Sequence, residues 1–384
     1  MAALRDIPQC DPRAAYLAQG ERIDAAIHRV LHQGRYILGP EVAAFESEFA
    51  QFLGAGHALG VANGTDALTI ALRALGIGPG DAVITVSHTA VATAMAIRST
   101  GAIPLFVDVD AAHGLMDPHQ VQALLQAASR GKTCVARDRI RAIVPVHLYG
   151  RCADMAALCS IAGENALEIV EDCAQAHGAR IAGRAAGTFG AIGTFSFYPT
   201  KNLGAIGDGG ALVTSNAALH ERARLLREYG WRERYISELE GGNSRLDELQ
   251  AAILRIKLPR LDADNSARAA IADVYRSAIR KSGVALPPAA EPARHVYHQF
   301  AIRCSERDSL QRYLREKGIG ALVHYPRPVH LQPAYANPEF APLPLRETER
   351  WASEVLSLPM FPQLSEQDAL HVASILNDSP TILA

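Results

Sequence analysis

The sequence has no uninterrupted apolar stretch as long as a membrane span, about 20 residues, so it does not read as a helical membrane protein. Its six cysteines (Cys10, Cys134, Cys152, Cys159, Cys173, Cys304) form no C-x-x-C pair and no zinc-ligand spacing. They read as small buried hydrophobes in a reduced, cytoplasmic protein without a metal. Charge of neither sign prevails. The formal net charge is −2, and nothing in that balance asks for nucleic acid or an anionic membrane as partner. A phosphate-bearing ligand needs only a local positive site. The first twenty residues lack a continuous apolar core and carry acids early, unlike a secretory signal. There is no internal repeat and no low-complexity tract.

What is present is an ordinary globular composition, 49% hydrophobic and 20% charged, in 384 residues. That length suits two domains. Between Ala58 and Ser215 short apolar runs alternate with helical segments. Leu59–Ala62, Ala82–Val86, Ile103–Val107, Ala142–Val146 and Leu167–Val170 read as strands. None alternates cleanly, so both faces of the sheet should be covered by helices. Strand–helix alternation predicts a mostly parallel α/β sheet. Arg245–Arg280 reads as long helix interrupted at Pro259. A Pro-rich linker, Leu286–Pro288, follows it, with strands at His295–Arg303 and Ile319–His324 and a final helix near Ser365–Ile375. The expected division is a large domain over 1–255 and a smaller α+β domain over 256–384.

In such sheets ligands collect at the carboxyl ends of strands. Those ends are Asn63-Gly64-Thr65, Ser87-His88-Thr89, His147, Asp172 and Ser196 to Lys201. Asp172, desolvated at a strand end, needs a cationic partner, and a protonated pyridine nitrogen is one. A helix cap or a structural salt bridge is the alternative. Lys201 follows a hydroxyl-bearing strand end, where a partly desolvated amine can be neutral and nucleophilic. A surface lysine in a glycine-rich turn is the alternative. Gly204–Gly210 fails the dinucleotide fingerprint because a strand pattern, and no helix, follows. Asn63-Gly64-Thr65-Asp66 opens a helix and offers an anion site, or only a cap. His324-Tyr325-Pro326-Arg327-Pro328-Val329-His330 lacks the carboxylate or cysteine that completes most metal sites. It reads as a polar pocket wall, with structural histidines as the alternative.

Taken together these motifs resemble the DegT/DnrJ/StrS family of sugar aminotransferases over Arg35–Leu364. Gly34–Val42, Asn63–Leu68, Glu171–Gln175, Ser196-x-x-x-x-Lys201, Gly207–Gly210 and Asn243–Asp247 occur in the family's order. The resemblance implies a fold-type-I aminotransferase, homodimeric, with pyridoxal 5'-phosphate (PLP, or PMP when aminated) as cofactor. It implies that Lys201 links covalently to the cofactor and Asp172 meets its ring nitrogen. Gln175 would meet the phenolic oxygen, and Gly64, Thr65 and Ser196 the phosphate. Asn243 would arrive from the partner subunit. His88 stands where many members stack an aromatic ring. Arg232, His324, Tyr325 and His330 are the expected sugar-nucleotide contacts. The Arg227–Tyr235 and His324–His330 segments look like those of members that aminate C3 of a dTDP-linked 3-keto-6-deoxyhexose, with glutamate as donor. A 4-keto nucleotide sugar, or a non-catalytic regulatory protein that binds PLP, is the alternative.

Overall fold

The computed structural model describes residues 6–289 and 293–380. The outermost ends of both expected domains, 1–5 and 381–384, lie outside the described residues. Among the described residues, seven strands form the central sheet. Their spatial order is His57–Val61, Gly210–Thr214, Ile192–Ser196, Glu168–Asp172, Ile140–Val144, Ala82–Val86, Ile103–Val107. Gly210–Thr214 runs antiparallel to both its neighbours. The remaining contacts are parallel. The absence of alternation in the strand sequences is explained by double burial. All five residues of Ala82–Val86 are buried. Ala82, Ile84 and Val86 enter one apolar core, while Val83 enters another with Ala142, Val144 and Val170. Successive side chains of a strand point to opposite faces, so each face needs its own apolar set.

The Arg245–Arg280 region is two helices, Glu248–Lys257 and Leu261–Ala278. The 3-10 turn Leu258–Arg260 separates them and carries Pro259, which has no N–H to continue the first helix. Beyond it, Phe300–Arg303 pairs antiparallel with Val355–Leu358. The helices Leu261–Ala278, Arg307–Glu316 and Glu366–Asn377 pack into the same core. The strand expected at Ile319–His324 is not a ladder. Those residues make single bridges, Ile319 to Ile7 and Leu322 to Ser357. Ile7 therefore joins the C-terminal core although it lies at the other end of the chain. Sequence distance from residue 256 hid that contact. Among the described residues, no helix is long and apolar enough to cross a membrane.

Candidate active site

The carboxyl ends of the parallel strands open onto a cavity of about 560 Å³. One wall starts at the helix Gly64–Ala74. Asn63 caps it by accepting from the Asp66 N–H at 2.8 Å. The amides of Gly64 and Thr65, in the first turn of the helix, have no intrahelical acceptor. A side chain at Gly64 is impossible without movement: its Cβ would lie 2.6 Å from that of Ser196. Glycine thus lets the helix terminus and the Ile192–Ser196 strand end meet. Ser196 Oγ accepts from the Tyr198 N–H at 3.3 Å, which leaves its own O–H free to donate into the cavity. Together these donors form a cradle for a phosphate group.

Asp172 ends its strand buried. Its carboxylate accepts from Thr93 Oγ1 at 2.9 Å and from the Ala174 N–H at 3.1 Å. Burial nonetheless holds its pKa above the ordinary value, against the pull of those bonds and of Lys201. A cation at its free edge would restore the ionised form. Lys201 lines the same cavity. Loss of water around its ammonium lowers its pKa to about 8, partly opposed by Asp172. Its amine is therefore accessible as a nucleophile near neutral pH. Gln175 is held at both ends of its amide: Oε1 accepts from the Tyr149 N–H at 2.7 Å, and Nε2 donates to Tyr325 Oη at 3.1 Å.

The facing wall comes from the C-terminal part of the chain. His298, Gln299, His324 and Tyr325 line it. Asn202, beside Lys201, bonds His298 Nδ1 at 3.1 Å and donates to the Val296 carbonyl at 2.9 Å. Gln299 is bonded to Gln9. Burial lowers the pKa of His324 to about 4, so its ring is neutral at physiological pH.

Behind the cavity, His147 Nε2 meets Glu171 at 3.0 Å, with Cys173 nearby. Every ligating position of the Glu171–His147 pair is used. Glu171 accepts from the amides of Gly187, Phe189 and Gly190. His147 Nδ1 accepts from Ala153, so Nε2 carries the proton. The pair ties strand ends together.

The cavity brings together Gly64, Thr65, Asp172, Gln175, Ser196, Lys201, His324 and Tyr325. Four expected residues are elsewhere. His88 does not face the cavity, and its expected stacking role is corrected: Thr89 and Ala90 line the cavity there. The His88 ring turns into the core, against Trp351 at 5.7 Å and bonded to Tyr149. His330 bonds Ser87 Oγ at 2.7 Å outside the cavity lining. Arg232 is exposed and paired with Glu221 and Glu238. Asn243 is exposed, bridged to Glu228. Sequence reasoning missed Thr93, Tyr149, His298 and Gln299. Thr93 carried one usable signal, its i+4 spacing from Thr89 at a strand end. The others carried none, because long-range contacts bring them in.

A phosphate cradle, a buried acid suited to a cation and an activated amine share one cavity of a mostly parallel sheet. That combination defines a fold-type-I, PLP-dependent aminotransferase, and the donor set fits the cofactor. Residues 18–377 match the DegT/DnrJ/EryC1/StrS aminotransferase family, and the chain belongs to it. It is 47% identical over 373 residues to the dTDP-3-amino-3,4,6-trideoxy-alpha-D-glucose transaminase of Streptomyces venezuelae, covering 97% of this chain and 96% of that one. Among solved structures, S. venezuelae DesV in complex with a ketimine intermediate superposes with a TM-score of 0.91 at 48% identity, over 97% of this chain and 98% of that one. NtdA of Bacillus subtilis with bound cofactor PMP gives 0.84 at 30% identity, over 94% and 82%.

Proposed function

We propose that this chain transfers an amino group from glutamate to C3 of a dTDP-linked 3-keto-6-deoxyhexose. The observation that carries the reading is the Lys201–Asp172 cavity on a chain nearly half identical to a dTDP-3-amino-sugar transaminase. When bound, PLP supplies an aldehyde that links to amines and a ring that stores an electron pair. Gly64, Thr65 and Ser196 would hold its phosphate, and Asp172 its ring nitrogen. Gln175 would hold the phenolic oxygen with its remaining N–H. Lys201 Nζ takes a proton from the donor's α-carbon and later delivers one to C3 of the sugar. His324 and Tyr325 would face the sugar, and their wall limits water around the reacting carbons.

The reading includes a homodimer. Among the described residues lining the cavity, Asp66, Asp172 and Asp208 are acidic, and Lys201 is the one lysine or arginine. A glutamate carboxylate and a nucleotide diphosphate need more cationic or donor groups than this. Arg232 and Asn243, exposed on one chain, would reach the cavity of a second copy. His330 would act indirectly, through its bond to Ser87, two residues before the cavity-lining Thr89. A cytoplasmic setting completes the reading, supported by six cysteines that are all free thiols.

The test uses purified protein loaded with PLP. Glutamate should bleach the visible cofactor absorbance, and a 3-keto sugar should then restore it with a 3-amino product. Amination of the 4-keto isomer alone would overturn the C3 assignment. A spectrum unmoved by glutamate would favour a binding protein. For the dimer, mixing Lys201→Ala with Asn243→Ala protein should regain activity, since hybrid dimers carry one intact site.

A further inference from the structure

His88 is left without a role by the cavity, yet it sits at a junction of three segments. Its Nε2 lies 2.7 Å from Tyr149 Oη. Tyr149 Oη in turn donates to the His324 carbonyl at 2.5 Å. The hydroxyl has one proton, and the carbonyl takes it. Tyr149 can then only accept from His88, so His88 Nε2 carries the imidazole proton. His88 Nδ1 is buried with no partner among the described residues, as the lone pair of that tautomer. Burial keeps the ring neutral, its pKa lowered to about 3, so the donor stays in place across the working pH range.

Tyr149 also occupies left-handed backbone space, φ +59°, which L-residues with a side chain rarely adopt. Bonds at both ends define it: its N–H holds Gln175, and its hydroxyl holds the 324 carbonyl. Tyr325, the next residue, accepts from Gln175. The circuit therefore closes through Tyr149, Gln175 and the His324–Tyr325 segment, and His88 tethers it at the Tyr149 hydroxyl. It joins a strand end of the sheet to the wall delivered by the C-terminal part.

We propose that His88 is a positioning residue: through Tyr149 it fixes the His324–Tyr325 segment and, with it, the sugar-facing wall. The role rests on the reading of that wall given above. Phenylalanine at 88 keeps the ring and removes the N–H; glutamine keeps a donor near the Nε2 position. His88→Phe, His88→Gln and Tyr149→Phe are compared in the PLP-loaded protein by amide hydrogen exchange and by the two half-reactions. His88→Phe and Tyr149→Phe should speed exchange in residues 322–327 roughly tenfold and raise KM for the keto sugar roughly five- to tenfold. The half-reaction with glutamate should stay within about twofold. His88→Gln should restore both readouts. His88→Phe added to Tyr149→Phe should cost little more, because the hydroxyl that His88 holds is already gone.

Unchanged exchange and KM in His88→Phe would overturn the proposal. So would loss of PLP binding in that variant, which would return His88 to the cofactor. If the unaltered protein aminates no sugar, the functional reading fails, while the exchange comparison still decides the role of His88. Should His88→Phe fail to fold, His88→Leu, which likewise fills the space without an N–H, carries the test.

Discussion

The two walls of the cavity are built differently. The wall proposed to hold the cofactor consists of strand ends and a helix terminus within one doubly covered sheet. Its key contacts are backbone amides, a buried carboxylate and a glycine with no room for a Cβ. The opposite wall consists of side chains on irregular segments of the C-terminal part, held by single long-range bonds such as Tyr149 to the His324 carbonyl. The first wall is rigid because the sheet defines it. The second depends on a few hydrogen bonds, so it is the wall that can vary with substrate.

If that contrast holds, damage should grade from the first wall to the second. Lys201→Ala should lower turnover roughly a thousandfold or more, through loss of both nucleophile and proton carrier. Turnover near the normal rate would break the assignment of the cofactor wall. Gly64→Ala should come next. Its methyl meets Ser196 in a place with no slack, and overpacking of this kind costs about 1–3 kcal/mol. PLP titration should show weaker cofactor binding, with the KM for sugar, measured at saturating cofactor, little moved. His324→Ala should do the reverse. KM for the keto sugar should rise by up to about tenfold while PLP affinity is kept. Equal losses of both in either variant would erase the distinction between the walls.

The smallest effect is a pH dependence. Lys201, lowered to about 8, is the cavity group that titrates near neutrality, whereas His324, lowered to about 4, is already neutral. Cofactor capture by the apoprotein should therefore rise as pH passes through about 8. Stability follows the same group. Burial depresses its folded pKa below the ordinary 10.5, so the unfolded chain binds more protons between those values. The apoprotein's Tm should rise across that window and be least favoured below it. A Lys201→Met apoprotein should lose that rise; an unchanged profile would assign it to another group.

The gathering of residues on the strand-end wall was largely legible in the sequence. Asp172, Ser196 and Lys201 stand at the ends of apolar runs, and the crossover rule places such ends together. His88 shows the limit of that reasoning. It too stands at a strand end, but which of Ser87, His88 or Thr89 turns toward the cavity depends on the local chain path after the strand. Here Thr89 faces the cavity, and His88 joins the core with Trp351.

Local patterning by itself determined the parallel sheet, its helical covering and the residues at its carboxyl edge, because apolar periodicity and strand–helix order are properties of neighbouring residues. Only tertiary structure decided that Ile7 joins the far core, that Thr93 supports Asp172 and that Tyr149 links Gln175 to the 324 carbonyl. Those partners are separated by tens to hundreds of residues. Such bonds form only once the whole chain has packed, and no local period records them.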